Sequence, residues 1–442
     1  MLLSLCMIVK NEENCLARCL TSIQELVDEI IIVDTGSTDR TLEIAASFSA
    51  RLFSCPWTHD FSQARNFALE QARGDWILVL DADEVLIHQG REQLQRFLTA
   101  PGSLYEGFYL PVINLHEPDN WLYRSQDLVV RLFRNRPHYR FSGVIHEQVL
   151  PSIAAHAGKE AIGQAPLTIY HYGYLPAVIQ QKQKCQRNQQ VIQLALTQNK
   201  QDPFLLYSLG CEYLTAANPR TALHYFEQAL AVIPTGAGYL PDLALRAGYC
   251  HFLLGNWADA EKYAPLAPQL YLLLALQELE QNNYAAAETL LTLAARGCPE
   301  ARAQIQQARG DMALARQQPA MAARYYLAAL QSQPTYLYPL TRLLELAQTH
   351  PRLWQDEWFC LYTPDSCLRL LQFLNWQHDT RLVLYYIMSL AYQKAFLPLK
   401  QLEQQALPCY QAVIYLALGA VFSPDPCWSL LSDLFWKEEG WL

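Results

Sequence analysis

Six side chains in the first 175 residues are of types, and at positions, that could handle cations, phosphates and protons: Asp34, Asp81, Asp83, His146, Glu147 and His171. Asp81 and Asp83 stand two apart, directly after the apolar run Trp76 to Leu80. There they could hold Mg2+ or Mn2+, hard cations commonly bound by one or two carboxylates plus the phosphates of a substrate. Read structurally, the same pair would cap a following helix. Asp34 closes a second apolar run, Glu29 to Val33, and opens the turn Asp34-Thr35-Gly36-Ser37-Thr38-Asp39. His146 and Glu147 are adjacent in Gly143-Val144-Ile145-His146-Glu147, and either type can take a proton from an attacking group. His171 follows another strand-like run, where a histidine serves as a nitrogen ligand or as a structural residue.

The elements that must position these groups are those of an α/β sheet, short apolar runs alternating with amphipathic stretches. Leu2 to Val9 reads as the first strand, with Asn11 as N-cap of a helix whose apolar face is Leu16, Leu20, Ile23 and Val27. Strands follow at 29–33, 51–53 and 76–80, with a helix from about Ser62 to Ala72. Two strands therefore end in carboxylates, and open α/β sheets bind ligands beyond the carboxyl ends of their strands. From about 105 to 172 the pattern is more β-like, at 105–113, 127–133 and 168–172. The basic residues Arg124, Arg131, Arg134, Arg136 and Arg140 lie here, Arg131 and Arg134 on opposite faces of a strand. Trp57 and Trp121 are candidate stacking platforms for a ligand, although an aromatic in such a fold is more often packing.

Strands disappear after Pro176. Leu206, Leu209, Gly210, Tyr213, Ala222, Phe226, Ala229 and Pro234 fall in the spacing of a tetratricopeptide repeat. Gly210 and Ala222 would let two antiparallel helices approach closely. Further copies centre on Gly248, on Ala275 to Pro299 and on Gly310 to Pro334, with one helix clipped near Ala264 to Pro268. Stacked hairpins of this kind form a solenoid with a concave surface. The domain reading is 1–175, a linker helix at 176–202, repeats at 203–334 and a helical cap or oligomerisation region at 335–442, the last compatible with a homodimer.

Composition narrows the partners. The 442 residues carry 33 Lys plus Arg against 42 Asp plus Glu, a net charge of −9, which argues against binding a nucleic-acid backbone. Half the chain is hydrophobic and 17% charged, so it should fold. The 12 cysteines show no CxxC pairing and read as reduced residues of a cytoplasmic protein. No apolar run reaches the ~18 residues of a membrane span, and Met1 to Val9 reads as a buried strand, not an export signal.

In chain order, Lys10-Asn11-Glu12-Glu13, Val33 to Asp39, Ala64-Arg65-Asn66 and Leu80-Asp81-Ala82-Asp83-Glu84 resemble the nucleotide-sugar half of family 2 glycosyltransferases of the GT-A fold. The likeness covers about the first 175 residues. Such a domain followed by tetratricopeptide repeats is similar to the bacterial branch that contains the sublancin S-glycosyltransferase. The resemblance implies an α/β GT-A, Rossmann-like nucleotide-diphospho-sugar transferase domain and an all-α tetratricopeptide-like solenoid. It implies donor-binding roles for Asn11, Glu12, Asp34, Ser37, Asp39, Arg65 and Asp81, and Mn2+ or Mg2+ held by Asp83, Asp81 and His171. Asp34 would contact the base or ribose, although many relatives have a second acidic residue where this chain has Thr35. Many members take their base from a Glu-Asp pair, absent between residues 115 and 150. Glu147 is the expected base and His146 its competitor.

The expected activity is inverting transfer of a hexose or N-acetylhexosamine from a nucleotide diphosphate sugar, UDP foremost, to a peptide or protein recruited by the repeats. A cell-envelope saccharide of the lipopolysaccharide-core type, or a lipid carrier, is the alternative acceptor. A repeat scaffold that binds without reacting is the alternative class. A sugar-nucleotide pyrophosphorylase is disfavoured, because Lys10-Asn11-Glu12-Glu13 stands where those enzymes carry a Gly-rich basic loop.

Overall fold

A computed structural model of the chain describes residues 2–88, 90–99, 104–115, 124–173, 184–353, 355–372 and 379–403, with isolated positions 374, 410, 411, 413, 414, 417 and 418. Trp121 lies outside the described residues. The chain divides into two compact units, Met1–Ala237 and Gly238–Leu442.

The first unit is built on a nine-stranded sheet. Strands β1 (Leu3–Val9), β2 (Glu29–Asp34), β3 (Arg51–Ser54) and β4 (Trp76–Val79) are parallel, in the order β3-β2-β1-β4. The sheet continues through β7 (Arg124–Arg134), β6 (Gly107–Leu115), β9 (Thr168–His171) and β5 (Glu84–Ile87), with β8 (Ile162–Gln164) beside β6. The unbroken apolar runs of β1 and β2 follow from burial on both faces. β1 sends Leu3, Leu5, Met7 and Val9 to one face, covered by α1 (Leu16–Ile23), α2 (Thr41–Ser47) and α4 (Arg91–Thr99). It sends Cys6 and Ile8 to the other, covered by α3 (Phe61–Glu70) and α5 (Leu150–Ala157).

Two expectations change. Asn11 is not a helix cap: it has φ +56°, and α1 begins only at Leu16. Nor does a helix follow Asp83; the chain turns at once into β5, with the Glu84 amide on the Asp81 carbonyl at 3.0 Å. Asp81 and Asp83 are therefore held between two strands and do not cap a helix.

The same unit contains α6 (Lys184–Gln198) and the hairpin α7 (Pro203–Thr215) and α8 (Pro219–Val232). Val191, Ile192 and Leu209 pack with Ile145, and Trp57 and Phe61 lie against them. Gly210 of α7 faces the Phe226 ring of α8 so closely that a Cβ would collide with it.

The second unit is helical: α9 (Leu240–Leu253), α10 (Trp257–Glu261), α11 (Gln269–Glu280), α12 (Tyr284–Gly297), α13 (Arg302–Ala315), α14 (Pro319–Ser332), α15 (Leu337–Thr349), α16 (Pro364–Leu371), α17 (Thr380–Tyr392) and α18 (Phe396–Glu403). The clipped helix is α10, five residues long. The pair α13 and α14 repeats the close approach of α7 and α8, with Gly310 against Tyr326. Toward the C-terminus the buried run Val383 to Leu390 of α17 centres a core that includes Leu343, Trp358, Leu371 and Leu399. Among the described residues no helix is long and apolar enough to cross a membrane, and the ten described cysteines are free.

Candidate active site

The loops leaving β1 and β2 are stitched together by the side chains of both motifs. The Asn11 amide donates to Ser37 Oγ at 2.9 Å, and the Thr38 amide donates to Asn11 Oδ1 at 2.8 Å. The Glu12 amide donates to Thr41 Oγ1 at 2.7 Å, and the Glu13 amide to Asp39 Oδ2 at 3.2 Å. Asp39 also accepts from the Thr41 hydroxyl; desolvation opposes its charge, but these donors hold the carboxyl below its ordinary value. Asp34, at the end of β2, turns its carboxylate back onto the amides of Gly36 and Ser37 at 3.0–3.1 Å. Asn11, Ser37 and Asp39 thus shape the rim, and Asp34 closes its own turn.

Beyond β4 lies a network of carboxylates and buried arginines. Arg65, on α3, donates from Nε to Glu147 Oε1 at 2.5 Å and from Nη2 to Asp81 Oδ1 at 2.6 Å. Arg131, on β7, donates from Nη2 to Asp81 Oδ2 at 3.1 Å and to Glu84 Oε1 at 2.8 Å. The second Glu84 oxygen accepts the Asp81 amide at 2.8 Å. Both Asp81 oxygens therefore face guanidinium groups. Burial would raise the Asp81 carboxyl, but the Arg65 and Arg131 charges beside it hold it well below the carboxylate range. Glu84 is only 1% exposed, and burial pushes it the other way, to about 7, against the pull of Arg131. Of the basic stretch at 124–140, Arg131 reaches this network. Arg134 lies over the Trp76 ring at 4.5 Å, and Arg136 pairs with Glu106.

Asp83 is paired differently. Its Oδ1 lies 3.5 Å from Nε2 of His171, whose Nδ1 is 2.8 Å from Asn114 Oδ1. No group of three or more His, Cys, Asp or Glu side chains gathers as a cation site among the described residues. Asp83 and His171 still fit Mg2+ or Mn2+, because such ions take few protein ligands where substrate phosphates complete the shell. Asp81 is paired with Arg65 and Arg131.

His146 and Glu147 sit on a loop closed by two hydrogen bonds between Ser142 and Gln148, each 3.1 Å. Inside it Ile145 is buried, Glu147 turns in to Arg65, and His146 is exposed near the Phe204 ring, 6.2 Å between centroids. His146 has φ +53°. A non-glycine residue in that conformation carries strain that persists only where its surroundings enforce it. Trp57 packs edge-on against Phe61, 4.7 Å between centroids.

Three participants lack a sequence signal of their own. Glu84 belongs to a visible acidic run, but only the fold shows that it is the buried member. Asn114 sits in an apolar strand with nothing to mark it. Arg187 of α6 lies over the Phe61 ring at 5.1 Å, and burial holds it below its ordinary value against the opposing charges of Glu12, Glu212, Asp83 and Asp81. Its local sequence is merely polar and helical.

Residues 4–151 match the family model described as Glycosyl transferase family 2. Over 231 residues the chain is 39% identical to a TPR repeat-containing protein of Synechococcus elongatus, covering 51% of this chain and 56% of the relative. Over 228 residues it is 26% identical to the SPbeta prophage-derived glycosyltransferase SunS of Bacillus subtilis, covering 50% and 52%. Among solved structures it is similar to S. aureus TarS 1-349 in complex with UDP, at 15% identity and a TM-score of 0.33, over 67% of this chain and 92% of that one. The chain spans about half the length of the curated relatives it matches.

Proposed function

We propose that this family 2 glycosyl transferase domain moves a hexose or N-acetylhexosamine from a nucleotide diphosphate sugar, UDP foremost, to a peptide or protein, with inversion at the sugar carbon. One observation carries the reading: Asp81, Asp83, Glu84 and Glu147 are gathered with Arg65, Arg131 and His171 where β4 meets β5, inside or beside the region that matches the family model. The helical hairpins that follow support a peptide or protein acceptor, since this layout resembles the sublancin branch.

Asp83 and His171 would hold Mg2+ or Mn2+, whose chemistry is to neutralise negative charge on a departing diphosphate. Arg65 and Arg131 keep Asp81 ionised and fixed. Arg187 of α6 lies nearby over the Phe61 ring. Charge arranged in advance at this place lowers the barrier without rearrangement as the leaving group develops. On the acceptor side a nucleophile forms a bond to the sugar carbon, the bond to the diphosphate oxygen breaks, and the proton of the nucleophile passes to a base. The base comes from the Ser142–Gln148 loop. Glu147 is paired with Arg65 at 2.5 Å, whereas His146 is exposed, which supports His146 as the base and Glu147 as the partner of Arg65.

The test is a comparison of His146→Ala and Glu147→Gln in donor binding and in transfer. His146→Ala should keep donor affinity and lose ~10²-fold or more in transfer rate. If Glu147→Gln alone shows that split, Glu147 is the base.

A further inference from the structure

We infer that Asp127, Asn114 and His171 form a relay across three strands that fixes the tautomer of His171, leaving a lone pair on the ring nitrogen that faces Asp83 and making Asn114 a positioning residue for a divalent cation. The inference rests on the reading of Asp83 and His171 as cation donors.

The register makes the three residues neighbours. His171 on β9 lies opposite Asn114 on β6, and β6 pairs in turn with β7, which carries Ser125 and Asp127. Asn114 is 3% exposed, so its amide must find partners inside the protein. Its two ends differ only in hydrogen-bonding sense, one donating and the other accepting. Asn114 Nδ2 donates to Asp127 Oδ2 at 2.8 Å and to Ser125 Oγ at 3.3 Å. An ionised carboxylate only accepts, so this contact orients the amide. Its oxygen then meets His171 Nδ1 at 2.8 Å, and that nitrogen must carry the proton.

A neutral imidazole protonated at Nδ1 presents a lone pair at Nε2. Here Nε2 faces Asp83 Oδ1 at 3.5 Å. With its proton held at Nδ1, the ring keeps the Nε2 lone pair for a cation on the Asp83 side. Without Asn114 the ring could shift its proton to Nε2 and donate it to Asp83. That hydrogen bond would use up both donor atoms. Partners of this kind, acting through a ligating histidine, are typically worth ~10–100-fold in metal affinity.

Two measurements on the whole chain test this. Imidazole 15N chemical shifts of the metal-free protein, with the His171 signals assigned by their loss in His171→Gln, should show Nδ1 protonated in the wild type and Nε2 protonated in Asn114→Leu. Calorimetric titration of Mn2+ in the presence of UDP should show Asn114→Leu weakened ~10–100-fold. Asn114→Asp combined with Asp127→Asn reverses the polarity of the first link while still accepting from Nδ1, and should restore most of the affinity. Wild-type affinity in Asn114→Leu with an unchanged tautomer overturns the inference while leaving the cation site standing. If Asn114→Leu does not fold, an Nε2-protonated ring or a lost affinity in the double variant overturns it instead. If the wild type binds no Mn2+, or Asp83→Ala binds it equally well, the reading of the site fails and the inference fails with it.

Discussion

At the scale of residues, the candidate site balances charges that no member could carry alone. Arg65 is buried because Asp81 and Glu147 accept from it, and Asp81 stays ionised because Arg65 and Arg131 donate to it. Glu84 is the exception: it is buried deeply enough that its carboxyl lies near 7 although Arg131 donates to it. A carboxyl whose folded value exceeds its ordinary 4.5 keeps a proton that the unfolded chain has already released. Its stabilising contribution is complete below about pH 4.5 and is lost as pH rises through about 7. Asp81, held below its ordinary 3.8, contributes in the opposite sense, present at neutral pH and lost in acid. Glu84→Gln should therefore remove a pH dependence. In urea unfolding, the stability of the wild type relative to this variant should fall by about 1–3 kcal/mol between pH ~5 and ~8. Parallel curves for the two proteins would show that Glu84 does not titrate in that window. Asp81 and Asp83 are legible in the sequence itself, because their spacing after an apolar run places them at a strand end. The inward turn of Glu147, the burial of Glu84 and the Asn114 contact depend on strands brought together from distant parts of the chain, which residue types do not encode locally.

At the scale of elements, apolar strands and glycine-marked helix pairs are readable from the residues, and pieces that form only against a distant partner are not. β1, β2 and β4 are runs of buried residues bounded by polar turns, and a sheet covered on both faces accounts for them. β5 and β8 span four and three residues, too few for alternation to register, and exist because β9 and β6 offer them partners. The expected cap at Asn11 gives way to hydrogen bonds with Ser37 and Thr38, which hold the loop in a left-handed conformation and delay α1. The helical hairpins show the converse. Spacing alone marks Gly310, and a Cβ there would stand 2.5 Å from Tyr326 Cε1. Gly310→Ala gains helix propensity but overpacks this contact, and a net loss of about 1–3 kcal/mol is expected from urea unfolding. A neutral or stabilising result would mean that Tyr326 moves aside, and that the glycine reflects helix spacing elsewhere.

At the scale of the whole molecule, the net charge of −9 has a local meaning. Several acidic groups are gathered beyond the end of β4 and paired with Arg65 and Arg131, an arrangement suited to a cation and a diphosphate rather than to an extended polyanion. The described residues of this network belong to the first unit; the second is a succession of helix pairs ending in the core around α17. Its proposed part is to engage the acceptor. The first unit is proposed to activate a nucleotide diphosphate sugar through Asp83. The most direct measurement is release of nucleoside diphosphate by the whole chain from a panel of UDP-, GDP- and other nucleotide sugars, with Mn2+ or Mg2+, beside Asp83→Ala. The expected result is release from at least one donor, reduced ~10²-fold or more by Asp83→Ala. Undiminished release by Asp83→Ala, or no release by the wild type from any donor, would contradict it.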